Sequence, residues 1–150
     1  MHPPSFGPQI LTISEKSILR TAIVDDEADL GELYSKALQR FGYPSPLVFR
    51  DGNSLVDSVV RDGATFDIVL MDFQMPGMNG IEASKIVLQH RPETKIVLVT
   101  ANDSVQEDAL SLGLYFLPKP FSINTLEKVL NRIEMTVDSS RELEREKESP

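Results

Sequence analysis

The stretch IVLMDFQMPGMNG, Ile68 to Gly80, opens with four apolar residues in a row and ends its apolar run on one aspartate, Asp72. A strand with one wet face alternates apolar and polar residues. An unbroken apolar run implies a strand covered on both faces, as in a parallel sheet flanked by helices. Asp72 then falls where such a strand delivers its last side chain to the sheet's rim. The loop that follows is turn chemistry: Pro76 and Gly77 shape it, its methionines read as packing, and a helix runs from about Gly80 to His90.

The same unit recurs on either side. LRTAIVD (19–25) reads as a buried strand, and DLGELYSKALQRFG (29–42) as a helix with Leu30, Leu33, Tyr34, Ala37, Leu38 and Phe41 on its inner face. Gly42 stands where a left-handed C-cap is expected. PLVFR (46–50) is a second strand, and NSLVDSVVRDG (53–63) a helix with Leu55, Val56, Val59 and Val60 inward. KIVLVTA (95–101) is a fourth strand, and SVQEDALSLG (104–113) a helix closed by Gly113. YFLPKP (115–120) is a short fifth strand. SINTLEKVLNRIEMTV (122–137) is the last helix, with Ser122 as N-cap and Ile123, Leu126, Val129, Leu130, Ile133 and Val137 on its face.

Strands alternating with helices predict an α/β fold: a flavodoxin-like, three-layer (βα)5 sandwich around a five-stranded parallel sheet. Residues 19–137 form that domain. Residues 1–18, rich in Pro, Ser and Gly, read as an N-terminal extension. Residues 138–150 read as a charged tail, disordered or a frayed helix, because Leu143 alone offers little to pack.

Composition narrows the function. Twenty-three acids against fifteen bases give a net charge of −8, with no basic cluster, which argues against nucleic acid as a direct partner. There are no cysteines, which removes disulfides and thiolate metal sites and fits a reducing compartment. Neither a signal peptide nor a membrane-length apolar run is evident. These features predict a cytoplasmic domain that does not engage the membrane.

In a parallel sheet the carboxyl ends of the strands share one rim, where ligands bind. That rim would collect Asp25, Asp26 and Glu27 from the first strand, Asp72 from the third, Thr100 and Ala101 from the fourth, and Lys119 and Pro120 from the fifth. Each alone has an ordinary reading as a cap, turn or surface residue. Together, the carboxylates would repel one another unless a cation sat among them. Oxygen donors without His or Cys favour Mg²⁺, with Mn²⁺ as an alternative. His2 and His90 suggest neither a metal site nor a catalytic pair.

VDDE, LMDFQMPGMNG, VTA and LPKPF stand in the order and at the spacing of a response-regulator receiver domain, and from about Leu19 to Val137 the chain resembles that family. The resemblance implies a sheet of order 2-1-3-4-5 and a two-component signalling role. It implies Asp72 as the phosphoacceptor. Asp25, Asp26, Asp72 and the backbone carbonyl of Gln74 would hold the metal. Thr100, Ala101 and Lys119 would bind the phosphoryl group, Phe116 would occupy an aromatic switch position, and Lys119–Pro120 is a candidate cis peptide bond. Gln74 and Asn102 occupy positions that tune dephosphorylation in similar domains.

A stand-alone receiver is therefore expected, which takes a phosphoryl group from a histidine kinase and signals through a downstream protein. The face of the fourth helix, fifth strand and fifth helix, carrying Val105, Leu112, Leu114 and Tyr115, is the candidate surface for that partner or for a homodimer. Its catalysis would extend only to its own phosphorylation and dephosphorylation. The alternative is a Mg²⁺-dependent phosphohydrolase working through an aspartyl-phosphate. Such enzymes place a second Asp two residues after the nucleophile, where this chain has Gln74. A nucleotide-binding domain would need a Gly-rich turn after the first strand, and DDEADLGE has none.

Overall fold

Apolar residues in four of the five strands divide between two layers, because successive side chains point to opposite faces of a sheet. Ile23, Leu70, Val97 and Val99 pack on one side; Ala22, Val24, Val69, Met71, Ile96 and Leu98 pack on the other. In this computed structural model, which describes residues 15–148, the strands are β1 (Thr21–Val24), β2 (Leu47–Phe49), β3 (Ile68–Asp72), β4 (Lys95–Thr100) and β5 (Tyr115–Pro118). All neighbours pair in parallel, in the order β2-β1-β3-β4-β5. The fold is that of the flavodoxin-like sandwich expected from the alternating pattern.

Among the described residues five α-helices cover the sheet: α1 (Ala28–Phe41), α2 (Gly52–Val60), α3 (Gly80–His90), α4 (Gln106–Ser111) and α5 (Ile123–Glu148). Tyr34, Ala37 and Leu38 of α1 join Leu126, Leu130, Ile133 and Val137 of α5 on one face. Leu55 and Val59 of α2, Ala83 and Val87 of α3, and Ala109 of α4 line the other. The caps are local chemistry. Gly42 closes α1 at φ 107°, Asn79 and Glu82 form a reciprocal capping box on α3, and the Ser122 hydroxyl accepts from the Thr125 amide at 3.1 Å.

Some expectations need correction. Leu33, Val60 and Ile123, placed inward by helical spacing, are 49%, 42% and 42% exposed. Each lies at the flank or end of its helix, beyond the width of sheet that the helix covers. The fourth helix begins as a 3-10 turn, Asp103–Val105, before α4 proper. The helical backbone runs on through 138–148, the segment read as a charged tail, disordered or a frayed helix. The sequence there is rich in strong helix formers.

Of the N-terminal extension, residues 1–14 lie outside the described residues. Glu15–Ile18 forms a 3-10 turn. Lys16 ties it to the domain, its ammonium 3.6 Å from the Glu134 carboxylate and 5.7 Å from the centre of the Tyr43 ring.

Candidate functional site

Sheet register assembles the site. Val24 pairs with Met71, so Asp25, the next residue along, comes level with Asp72 at the end of β3. Asp72 pairs with Val99, which puts Thr100 one step beyond, and Thr100 pairs with Pro118, which delivers Lys119 next. Residues dispersed through the sequence therefore converge on one edge.

Asp25, Asp26 and Asp72 each offer a carboxylate oxygen, and these oxygens lie within 4.8 Å of one another. Asp25 is 2% exposed and Asp72 9%, while Asp26 faces solvent. The Lys119 ammonium donates to Asp72 Oδ1 at 3.3 Å. Asp25 Oδ1 accepts from the Glu27 amide at 2.9 Å, and Arg50 Nη2 donates to the Asp26 carbonyl at 3.4 Å. The Asp25 amide donates to the Phe49 carbonyl at 3.0 Å, so the acidic turn is pinned to the end of β2.

Burial pushes the Asp72 carboxyl up to about 6; Asp25 and Asp26 push the same way, and Lys119 opposes them. Asp25 is also raised, chiefly by burial, with Asp26 and Glu27 adding to it against the Glu27 amide and Lys119. One ammonium thus faces three carboxylates, two of them out of water. A divalent cation fits this donor set: hard oxygens, excess negative charge, and an open side at Asp26 where the ion can keep waters.

The Thr100 side chain is buried at the end of β4, and its hydroxyl accepts from the Asn102 amide at 3.1 Å. Asn102 turns its own Oδ1 to Ser104, accepting from the amide at 3.0 Å and the hydroxyl at 2.6 Å, so it caps the 3-10 turn. Gln74 and Ala101 are exposed on the rim loops. Among the described residues no hydrogen bond joins the Gln74 or Asn102 side chain to the carboxylates. Phe116 is half-buried on the same sheet face as Leu98, its register partner, and Thr100 lies one same-face step further along β4. The Lys119–Pro120 peptide bond is cis.

Gly80 was missed as a site residue, being read only as the start of a helix. A Cβ there would fall into the Asp72 carbonyl oxygen and come within 2.9 Å of both Leu98 Cδ1 and the Phe73 Cα. Its amide donates to the Phe73 carbonyl at 2.8 Å. The absent side chain lets α3 press against the backbone that carries Asp72. The signal was a glycine in the first turn of a helix, where its propensity is poor unless close packing requires it.

Comparison with known proteins agrees with this geometry. A model of the response regulator receiver domain matches residues 21–131. The chain is 34% identical over 127 residues to two-component response regulator 24 of Arabidopsis thaliana, spanning 83% of this chain and 90% of that one. The chemotaxis protein CheY4 of Vibrio cholerae superposes with a TM-score of 0.68 at 28% identity, over 77% of this chain and 98% of its own. The Thermotoga maritima response regulator protein TrrA, solved in complex with Mg²⁺ and BeF, gives 0.69 at 26% identity, over 77% of this chain and 99% of that one.

Proposed function

This chain belongs to the response regulator receiver domain family, and from that premise we propose that it accepts a phosphoryl group on Asp72 from a histidine kinase and signals by altered protein binding. The carrying observation is the set of Asp25, Asp26 and Asp72 oxygens within 4.8 Å, with the Lys119 ammonium 3.3 Å from Asp72.

An Asp72 carboxylate oxygen attacks phosphorus, and the bond from phosphorus to the donor's nitrogen or oxygen breaks, its electron pair leaving with the donor. Phosphoryl transfer asks for alignment and charge neutralisation more than for covalent help. Lys119 supplies one positive charge beside the equatorial oxygens, and the Thr100 hydroxyl donates to one of them once it leaves its bond with the Asn102 amide. Asp25, Asp26, Asp72 and the Gln74 carbonyl would hold Mg²⁺, which would offset the remaining charge. Mn²⁺ presents the same hard-ion chemistry. Gln74, exposed and an amide, is too weak an acid to serve as the general acid that a phosphohydrolase places two residues after its nucleophile, which favours a signalling domain over a turnover enzyme.

The output follows from contacts around Thr100. Its movement toward the phosphoryl group vacates space on the sheet face it shares with Phe116, whose ring turns in. That change reshapes the surface of α4, β5 and α5, where a downstream protein or a second copy would bind. The same reading makes this a signalling domain of the cytoplasm. Among the described residues no helix is long and apolar enough to cross a membrane.

Incubation with acetyl phosphate and Mg²⁺, followed by intact mass, tests the proposal. One phosphoryl adduct is expected on the native chain, and none on Asp72→Asn or without the metal. An unmodified native chain, or an equally modified variant, refutes it.

A further inference from the structure

We infer that Tyr34 is a positioning residue for Lys119: its ring, stacked on Phe121, fixes the loop from Lys119 to Phe121 and so sets where the ammonium meets Asp72. The inference rests on the reading of Asp72 as phosphoacceptor.

The loop is tied at both ends by its backbone. The Lys119 amide donates to the Thr100 carbonyl at 3.0 Å, and Ser122 accepts from the Thr125 amide through its hydroxyl and from the Leu126 amide through its carbonyl, both at 3.1 Å. Between these ties stands Phe121. Its ring lies 5.8 Å from that of Tyr34, centre to centre, with the planes 23° apart. Tyr34 is 6% exposed and sits in the core under α1, so it is the fixed member of the pair. Tyr34, Lys119, Pro120 and Phe121 line one cavity of about 450 Å³ beside the acidic rim. Stacked aromatics contribute about 0.5–1.5 kcal/mol beyond the area they bury, enough to select one loop conformation among several.

The ring, rather than the hydroxyl, carries this role. The hydroxyl makes no hydrogen bond among the described residues, and burial together with the charges of Asp25, Asp72 and Glu27 pushes the phenol up to about 12. It stays neutral in the field of the carboxylates and leaves Lys119 as their counter-charge. Lysine has a long, rotamer-rich stem, so its useful geometry depends on a firmly held backbone. Displacement of a transfer group by about 1 Å can slow a reaction by up to about a hundredfold.

The test is a double-mutant cycle of Tyr34→Leu and Phe121→Leu, read as the rate of phosphorylation by acetyl phosphate at fixed Mg²⁺, with Tyr34→Phe as rescue. Each leucine variant is expected to slow transfer about tenfold, the double variant no further than either single one, and Tyr34→Phe to stay within about twofold of native. Amide hydrogen exchange reads the loop without phosphate. In Tyr34→Leu the Lys119 amide should exchange at least about tenfold faster, while Val69 and Leu70 in β3 keep native rates. Unchanged transfer in Tyr34→Leu, additive losses, or equal acceleration of the loop and β3 amides would overturn the inference. A native chain that never takes phosphate would instead overturn the assignment of Asp72, and the exchange comparison would still decide the role of Tyr34.

Discussion

Asp72 is held at a cost. Its carboxyl titrates near 6 in the fold, against 3.8 for an unperturbed aspartate, because burial and the neighbouring acids outweigh Lys119. A raised carboxyl contributes stability below pH 3.8 and loses it as pH climbs through about 6, so at neutral pH the ionised site works against folding. Asp72→Asn removes that titration. In metal-free buffer at pH 8 the variant should be more stable by about 2 kcal/mol, a rise on the order of 5 °C in Tm, with the gain vanishing near pH 3.5. Mg²⁺ should narrow the difference by stabilising the native chain alone. Thermal melts at the two pH values check this, and an equal difference at both would contradict it. Gly80 makes a second residue-scale case. Gly80→Ala must push α3 off the Asp72 carbonyl, and urea unfolding should show a loss on the order of 2 kcal/mol, with slower phosphorylation. A loss below about 0.5 kcal/mol, within ordinary surface-substitution effects, would mean that the contact yields freely.

At the scale of elements, β4 and β5 link site to surface. Thr100 ends β4 inside the site, and Phe116, paired with Leu98, is half-buried where β5 meets the α4 side. The short α4, Gln106–Ser111, has no side-chain cap of its own, Asn102 capping the 3-10 turn before it through Ser104, and it contributes one fully buried residue, Ala109. Few anchors make it the helix easiest to shift. Beryllofluoride with Mg²⁺, as a phosphoryl mimic, should therefore perturb amide resonances across 102–130, while those of α2 hold. Perturbation confined to the acidic rim would contradict the Thr100–Phe116 link. The helices also mark how far periodicity reads. It placed Tyr34, Leu38, Leu126, Leu130 and Ile133 correctly in the core, because the 3.6-residue repeat fixes which side faces the sheet. It could not fix how wide the covered strip is, so Leu33 and Ile123 emerged at its edge.

For the molecule as a whole, one topological rule made the pocket legible. Consecutive apolar runs such as IVLM meant strands buried on both faces, and parallel strands bring their carboxyl ends to one rim. Asp25, Asp26, Asp72 and Lys119 could be grouped on that basis before any coordinates. What stayed hidden depended on exact approach rather than pattern: the space Gly80 leaves for α3, the pairing of Tyr34 with Phe121, and the capping that occupies Asn102. The central claim, that the rim exists to place a phosphoryl group on one particular carboxylate, meets its most direct test in borohydride trapping. Reduction of the acetyl phosphate-treated chain converts an acylphosphate to homoserine, and peptide mass spectrometry then locates it. The account predicts homoserine at position 72 alone, and only when Mg²⁺ was present; homoserine at Asp25, Asp26 or elsewhere, or none at all, would contradict it.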